Sequence, residues 1–309
     1  MSLKCHFDNY ICNNFNSTNT LLIQMTELQS IASQVRRDIL RMVHGCQSGH
    51  PGGSLGCADL LVALYFQQMK INNRKGKGGY LSFNMDGKGE DLFFLSNGHI
   101  SPVFYSVLAR RGYFDVSELA TFRKLSSRLQ GHPTTHEHLP GVRVASGSLG
   151  QGLSVAIGAA LSKKLNADKT LVYCLMGDGE QQEGQIWEAV QFAPNNNVDN
   201  LVAFVDVNGQ QIDGSTKKVN DNRDLGAKYK AFGWRVLNVD GNNMEELTTL
   251  LRKIKRLVGK GQPIAVMMKT EMGQGVDFMM HSHKWHGVAP NDAQLEQALA
   301  QLPETLGDY

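Results

Sequence analysis

Residues 171–179 read Leu-Val-Tyr-Cys-Leu-Met-Gly-Asp-Gly, and residues 201–208 read Leu-Val-Ala-Phe-Val-Asp-Val-Asn. Each is a short apolar run, rich in β-formers, that stops abruptly at glycine or a polar residue. That is the pattern of a buried parallel strand. A helix-length stretch separates them. In an open α/β sheet, ligands collect beyond the carboxyl ends of the strands. Asp178 and Asn208 are therefore expected side by side at one sheet edge. An ionised carboxylate with an amide oxygen suits a hard cation such as Mg²⁺. Gly177 and Gly179 let backbone N–H groups come close to phosphate oxygens.

Working outward, the same alternation of strand and helix continues. Leu28, Ile31, Val35, Ile39, Met42 and Val43 fall at helical spacing over 26–45, with Thr26 as N-cap and Gly45 as stop. Residues 54–69 predict a buried helix, 72–90 an exposed loop, and 92–95 a strand. Helices are expected over 102–111, 116–124 and 151–165, with a long loop over 126–147. Beyond Asn208 the pattern predicts helix 222–232, strand 234–239, helix 243–257, strand 263–269 and a last helix from 291. The fold class is α/β: a doubly wound, mainly parallel sheet with helices on both faces. One domain is expected over 25–309. Residues 1–24 are polar and Asn-rich, and read as a tag, an overlong gene start or a flexible arm.

The composition narrows the function classes. The 309 residues are 41% hydrophobic with 32 glycines, enough for a sizeable core. A net charge of +2 gives no electrostatic case for nucleic acid or an anionic membrane. No apolar run approaches the ~20 residues that span a bilayer. Five cysteines with no Cys-x-x-Cys read as reduced thiols in a cytoplasmic protein.

Four further loops set histidine beside glycine: Ser48-Gly49-His50-Pro51-Gly52-Gly53, Ser96-Asn97-Gly98-His99, Gly131-His132-Pro133 and Lys284-Trp285-His286-Gly287. Neutral imidazole donates to phosphate and accepts hydroxyl protons near pH 7. Zinc at His281, His283 and His286 is a weaker alternative, because the spacing is loose and no cysteine is near.

Gly-Asp-Gly, a spacer, then Asn resembles the thiamine diphosphate (ThDP) motif. The full series S-G-H-P-G-G-S-L-G, S-N-G-H, G-H-P, G-S-L-G-Q-G, G-D-G-E-Q-Q-E-G and K-W-H-G is similar to transketolases over residues 30–290. It matches their N-terminal, diphosphate-binding section. Ser148 stands where that family usually has proline.

The resemblance implies a ThDP fold and residue roles. Asp178, Asn208 and the Gln210 carbonyl would hold Mg²⁺, with Ca²⁺ or Mn²⁺ as substitutes. The Gly179 N–H would face the diphosphate. His99 and His286 would bond the diphosphate, while Gly147 and Leu149 would contact the rest of the cofactor. Catalysis would fall to His50, His132 and His286, with His50 taking the sugar hydroxyl proton. Gly150-Gln151-Gly152 would open a helix whose N–H groups favour an anion. Glu183 and Glu188 would face a subunit interface, or else form a solvated helix pair. Trp285 would pack over the cofactor or simply in the protein.

The family's pyrimidine-binding and C-terminal domains, with the glutamate that activates the cofactor, have no counterpart here. The expectation is therefore the N-terminal subunit of a split transketolase. It would move a two-carbon ketol unit between sugar phosphates and be active only with a complementary C-terminal subunit. An α₂β₂ assembly is expected, or a homodimer of this chain alone. The alternatives are the α subunit of a 2-oxo acid dehydrogenase E1 component, a non-catalytic ThDP-binding paralogue, and an Mg²⁺-dependent phosphohydrolase using Asp178.

Overall fold

A computed structural model describes residues 18–309. In chain order the strands are β1 (Leu92–Leu95), β2 (Val172–Gly177), β3 (Leu201–Val207), β4 (Gln210–Gln211), β5 (Gly214–Ser215), β6 (Arg235–Asp240) and β7 (Ile264–Lys269). Five of them form one parallel sheet in the order β1-β2-β3-β7-β6, while β4 and β5 make a small antiparallel hairpin.

The helices are α1 (Thr18–Gly45), α2 (Pro51–Gly56), α3 (Ala58–Ala63), α4 (Ser101–Arg111), α5 (Gln151–Leu165) and α6 (Gly184–Asn195). They continue with α7 (Thr216–Val219), α8 (Leu225–Ala231), α9 (Met244–Leu257) and α10 (Asp292–Gln301). Side chains alternate across a strand, so each buried strand feeds two cores. Phe93, Leu95, Tyr173, Leu175, Val202 and Phe204 pack with α1, α3, α4 and α9. Leu92, Phe94, Val172, Cys174, Leu201 and Ala203 pack on the other face with α5, α6 and α8. The sheet is thus doubly wound, as the near-continuous apolar runs require. Ile39 of α1 is fully buried, and truncating such a residue to alanine costs about 2–5 kcal/mol.

Several boundaries differ from expectation. The first helix begins at Thr18, and Thr26 lies within it, its carbonyl accepting from Ser30 rather than capping. The tag-or-arm reading of residues 1–24 otherwise lies outside the described residues. The helix expected over 54–69 starts at Pro51, breaks at Cys57 and closes in a wide turn over Leu64–Gln68. Proline at the first helical position explains the earlier start. The segment 116–124 is only a tight 3₁₀ turn, Val116–Thr121, capped by Asp115. The helix expected from 222 begins at Leu225, because Asp224 accepts the Ala227 N–H at 2.8 Å. The β4–β5 hairpin has strands too short for any periodic signal.

Cys46, Cys57 and Cys174 are free thiols. Among the described residues, no helix is long and apolar enough to cross a membrane.

Candidate active site

Strands β2 and β3 end level with each other. Gly177 is paired with Asp206, and the Asp178 N–H donates to the Asp206 carbonyl at 3.0 Å. The Asp178 carboxylate accepts from the Gly179 N–H at 2.8 Å and the Gly209 N–H at 2.7 Å. It therefore ties the end of β2 to the turn that follows β3. Asn208 Oδ1 accepts from the Gln210 N–H at 2.9 Å, and its Nδ2 donates to Asp206 Oδ2 at 2.8 Å. Asp178, Asn208 and Gln210 thus meet at one sheet edge. The Gly179 N–H, expected to face a diphosphate, is donated to Asp178.

The edge is electrostatically unfinished. Asp178 and Asp206 are 3% and 2% exposed. Burial, and then the neighbouring Asp206, push the Asp178 carboxyl up to about 7. Asp206 is raised by burial, although the Thr270 hydroxyl, the Cys57 thiol and the Asn208 amide all donate to it. Two buried carboxylates beside an amide oxygen suit a hard divalent cation, whose charge would reverse these shifts. Among the described residues, no three His, Cys, Asp or Glu side chains form a metal cage, so that oxygen set is the site's own chemistry.

The four histidine loops converge. His50 precedes α2, His99 lies in the turn after β1, and His132 and His286 lie in loops. The His50 ring centroid is 5.1 Å from His99, 5.6 Å from His286 and 6.5 Å from His132. His99 and His286 stack at 5.2 Å. Burial lowers all four, helped at His50 and His99 by neighbouring imidazoles, at His132 by Arg123 and at His286 by His283: His50 falls to about 4, His99 falls well below its ordinary value, and His132 and His286 also fall. At neutral pH they are uncharged and able to accept a proton. His50 Nδ1, His286 Nδ1, Asn97 Oδ1 and Ser146 Oγ are buried without a hydrogen-bond partner. Buried polar atoms are normally satisfied, so this concentration at one place marks a surface built to meet a ligand.

Close loop packing requires glycine. Gly147 has φ +133°, and a Cβ there would sit 2.8 Å from the His132 ring. A Cβ on Gly98 would lie 2.6 Å from Ser146 Oγ and 2.7 Å from the Gly147 N. Leu149 is half-buried beyond this contact. The opening of α5 differs from expectation. Its Gly150 N–H is taken by Glu180 Oε1 at 2.8 Å, and its Gly152 N–H by Ser96 Oγ at 3.1 Å. The anion at that helix start is the protein's own carboxylate.

Glu183 and Glu188 are exposed on the start of α6. Trp285 stacks edge-on to Phe278 at 5.4 Å and donates to the Phe278 carbonyl at 2.9 Å, a packing role. His281 pairs with Glu271 at 3.1 Å.

Residues 28–304 match the family model described as transketolase, thiamine diphosphate binding domain. The chain belongs to the transketolase family. It is 36% identical over 279 residues to a 6-deoxy-6-sulfo-D-fructose transketolase subunit of Clostridium sp. (strain MSTE9), covering 90% of this chain and 97% of that protein. It is 35% identical over 284 residues to one of the subunits of the apulose-4-phosphate transketolase of Phocaeicola vulgatus, covering 92% and 96%. The crystal structure of transketolase from Campylobacter jejuni superposes with a TM-score of 0.79 at 31% identity, over 90% of this chain. The chain spans 43% of that longer transketolase.

Three residues packed into this site were not singled out from sequence. Asp206 had a signal: a charged residue inside an otherwise apolar strand, two positions before Asn208. Arg123 donates to Ser48 Oγ at 2.9 Å and packs under Gly131, bracing the His50 and His132 loops. Its signal was faint, since it sits in an ordinary basic stretch. Glu180 had none beyond its place in the Gly-Asp-Gly-Glu block.

Proposed function

We propose that this chain is the N-terminal, ThDP-binding subunit of a two-chain transketolase. It would transfer a two-carbon ketol unit from a ketose phosphate to an aldose phosphate. The observation that carries the reading is the gathering of four neutral imidazoles beside the Asp178–Asn208 edge. A cation site alone, as in a phosphohydrolase, does not call for them. The near-complete coverage of proteins named as transketolase subunits supports the two-chain arrangement. The same names favour it over the α chain of a dehydrogenase or a non-catalytic paralogue.

Asp178 and Asn208 would hold Mg²⁺ by side-chain oxygens, with the Gln210 carbonyl completing the protein's share. ThDP, when bound, supplies the electron sink for cleaving a bond next to a carbonyl. The chain's own residues do the rest. His99 and His286 would donate to the diphosphate, and Gly147 and Leu149 would border the organic part. His50, neutral at working pH, takes the hydroxyl proton as the C2–C3 bond of the ketose breaks, with His286 beside it. His132 orients the hydroxyls near the donor carbonyl. Glu183 and Glu188 lie on the face that would meet a neighbouring subunit, giving a cytoplasmic α₂β₂ assembly with a C-terminal partner chain. This chain alone could pair as a homodimer. Pentose phosphates are the default substrates, their distal ends read by the partner. A sulfo-sugar or apulose phosphate is named for the relatives.

The test is turnover of xylulose 5-phosphate and ribose 5-phosphate with ThDP and Mg²⁺, by this chain alone and with a complementary C-terminal chain. Activity is expected only in the mixture. Robust turnover by the chain alone overturns the two-chain reading. Decarboxylation of a 2-oxo acid in place of ketol transfer overturns the transketolase reading.

A further inference from the structure

Three stretches carry the proposed cofactor contacts: the end of β1 (Ser96 to His99), the loop from Ser146 to Gly152, and the Gly177-Asp178-Gly179 turn. No strand ladder registers them to one another beyond the sheet edge. One buried side chain touches all three. Glu180, 2% exposed, accepts from the Ser96 hydroxyl and, at 2.8 Å, from the Gly150 N–H on one oxygen. Its other oxygen accepts from the Gly177 N–H at 3.0 Å. Ser96 Oγ extends the bridge by accepting from the Gly152 N–H at 3.1 Å.

We propose that Glu180 is a positioning residue that holds these three loops in the mutual register that Mg²⁺–ThDP requires. It touches neither metal nor cofactor; it acts through His99, Gly147, Leu149 and Asp178. The inference rests on the transketolase reading and adds a residue to it.

The chemistry of the contacts explains why a carboxylate stands here. All three partners are donors, and only an acceptor on both oxygens satisfies them together. Two are buried backbone N–H groups, and one lies at the start of α5, where the helix dipole favours negative charge. Glutamine keeps the shape but turns an NH₂ onto one of the N–H groups. The loop concerned is then left without its tie while the sheet and both cores are untouched. Residues that orient binding groups from behind typically change affinity by about 10- to 100-fold.

The experiment titrates Mg²⁺-saturated ThDP into the full-length wild type, Glu180→Gln, Ser96→Ala and the distant control Lys163→Met. Calorimetry gives affinity, and thermal melting without cofactor gives stability. Glu180→Gln should weaken binding about 10- to 100-fold. Ser96→Ala should weaken it several-fold, with a smaller drop in the cofactor-free melting point than Lys163→Met shows. Lys163→Met should melt earlier yet bind as wild type. With saturating cofactor and the partner chain present, Ser96→Ala should recover most of kcat, the loss sitting in the KM for ThDP.

If Glu180→Gln does not fold, Ser96→Ala decides. Wild-type affinity in folded Glu180→Gln, or in Ser96→Ala, overturns the proposal. Equal weakening by Lys163→Met also overturns it, because the effect would then be general stability. A wild-type chain that binds no Mg²⁺–ThDP overturns the transketolase reading itself, which is a separate result.

Discussion

The two ends of the central sheet both bury charge and treat it in opposite ways. At the amino ends of β1 and β2, Lys163 donates to Asp168 at 3.0 Å, to the Thr170 hydroxyl at 2.7 Å and to the Gly87 carbonyl at 3.2 Å. Asp91 accepts from the Lys70 N–H at 2.8 Å and the Leu171 N–H at 2.7 Å. These charges find partners in the chain itself, although Asn200 Oδ1, at the head of β3, is buried without one. At the carboxyl ends, Asp178 and Asp206 sit close enough to raise the Asp178 pKa, and two imidazoles, an amide oxygen and a hydroxyl have no partner within the chain. The first end completes the fold. The second leaves polar atoms that the chain does not pair. Local rules are kept where stability is the task and broken where function is.

The largest test of this contrast is His50→Ala, assayed with the partner chain. Loss of a proton-transfer side chain should lower kcat by about 10²- to 10⁴-fold. Mg²⁺–ThDP affinity should stay within a few-fold of wild type. At the other end, Lys163→Met leaves buried acceptors unpaired. Denaturant unfolding should show a loss of roughly 3 kcal/mol, with no change in cofactor affinity. A large affinity loss there would erase the distinction between the ends.

The pH dependence of the cofactor-free chain should carry two opposed terms from the carboxyl end. Asp178 has its folded pKa raised to about 7 by burial and by Asp206, so the folded state holds the proton more tightly. Its contribution weakens as pH rises from the ordinary carboxylate range to 7. His50 is lowered to about 4 by burial, then by His286, Arg123 and His132, so its contribution weakens as pH falls from 6.5 to 4. Denaturant melts of wild type against Asp178→Asn should isolate the first term, and against His50→Ala the second. Mg²⁺ with ThDP should abolish the Asp178 term, since the cation stabilises the carboxylate.

The smallest effect expected is at Asp224, the N-cap of α8. Asp224→Ala should cost about 1 kcal/mol in denaturant melts, leaving cofactor affinity unchanged.

Much of the fold was legible because β2, β3 and β7 are buried on both faces and so are written as near-continuous apolar runs. The meeting of Asp178 with Asn208 followed from strands that end level. Helix starts were less legible. Pro51 and Asp224 set boundaries through single bonds or a single ring, which periodicity does not report. The site's histidines were visible because each sits beside glycine in a loop. Glu180 was not, because its role exists only once Ser96, Gly150 and Gly177, far apart in sequence, are folded together.

The most direct test of the account is joint binding of Mn²⁺ and ThDP, followed by the Mn²⁺ resonance signal. The account predicts that metal and cofactor bind tightly only together, and that Asp178→Ala and Asn208→Ala each abolish this. Undiminished joint binding by either variant would contradict it.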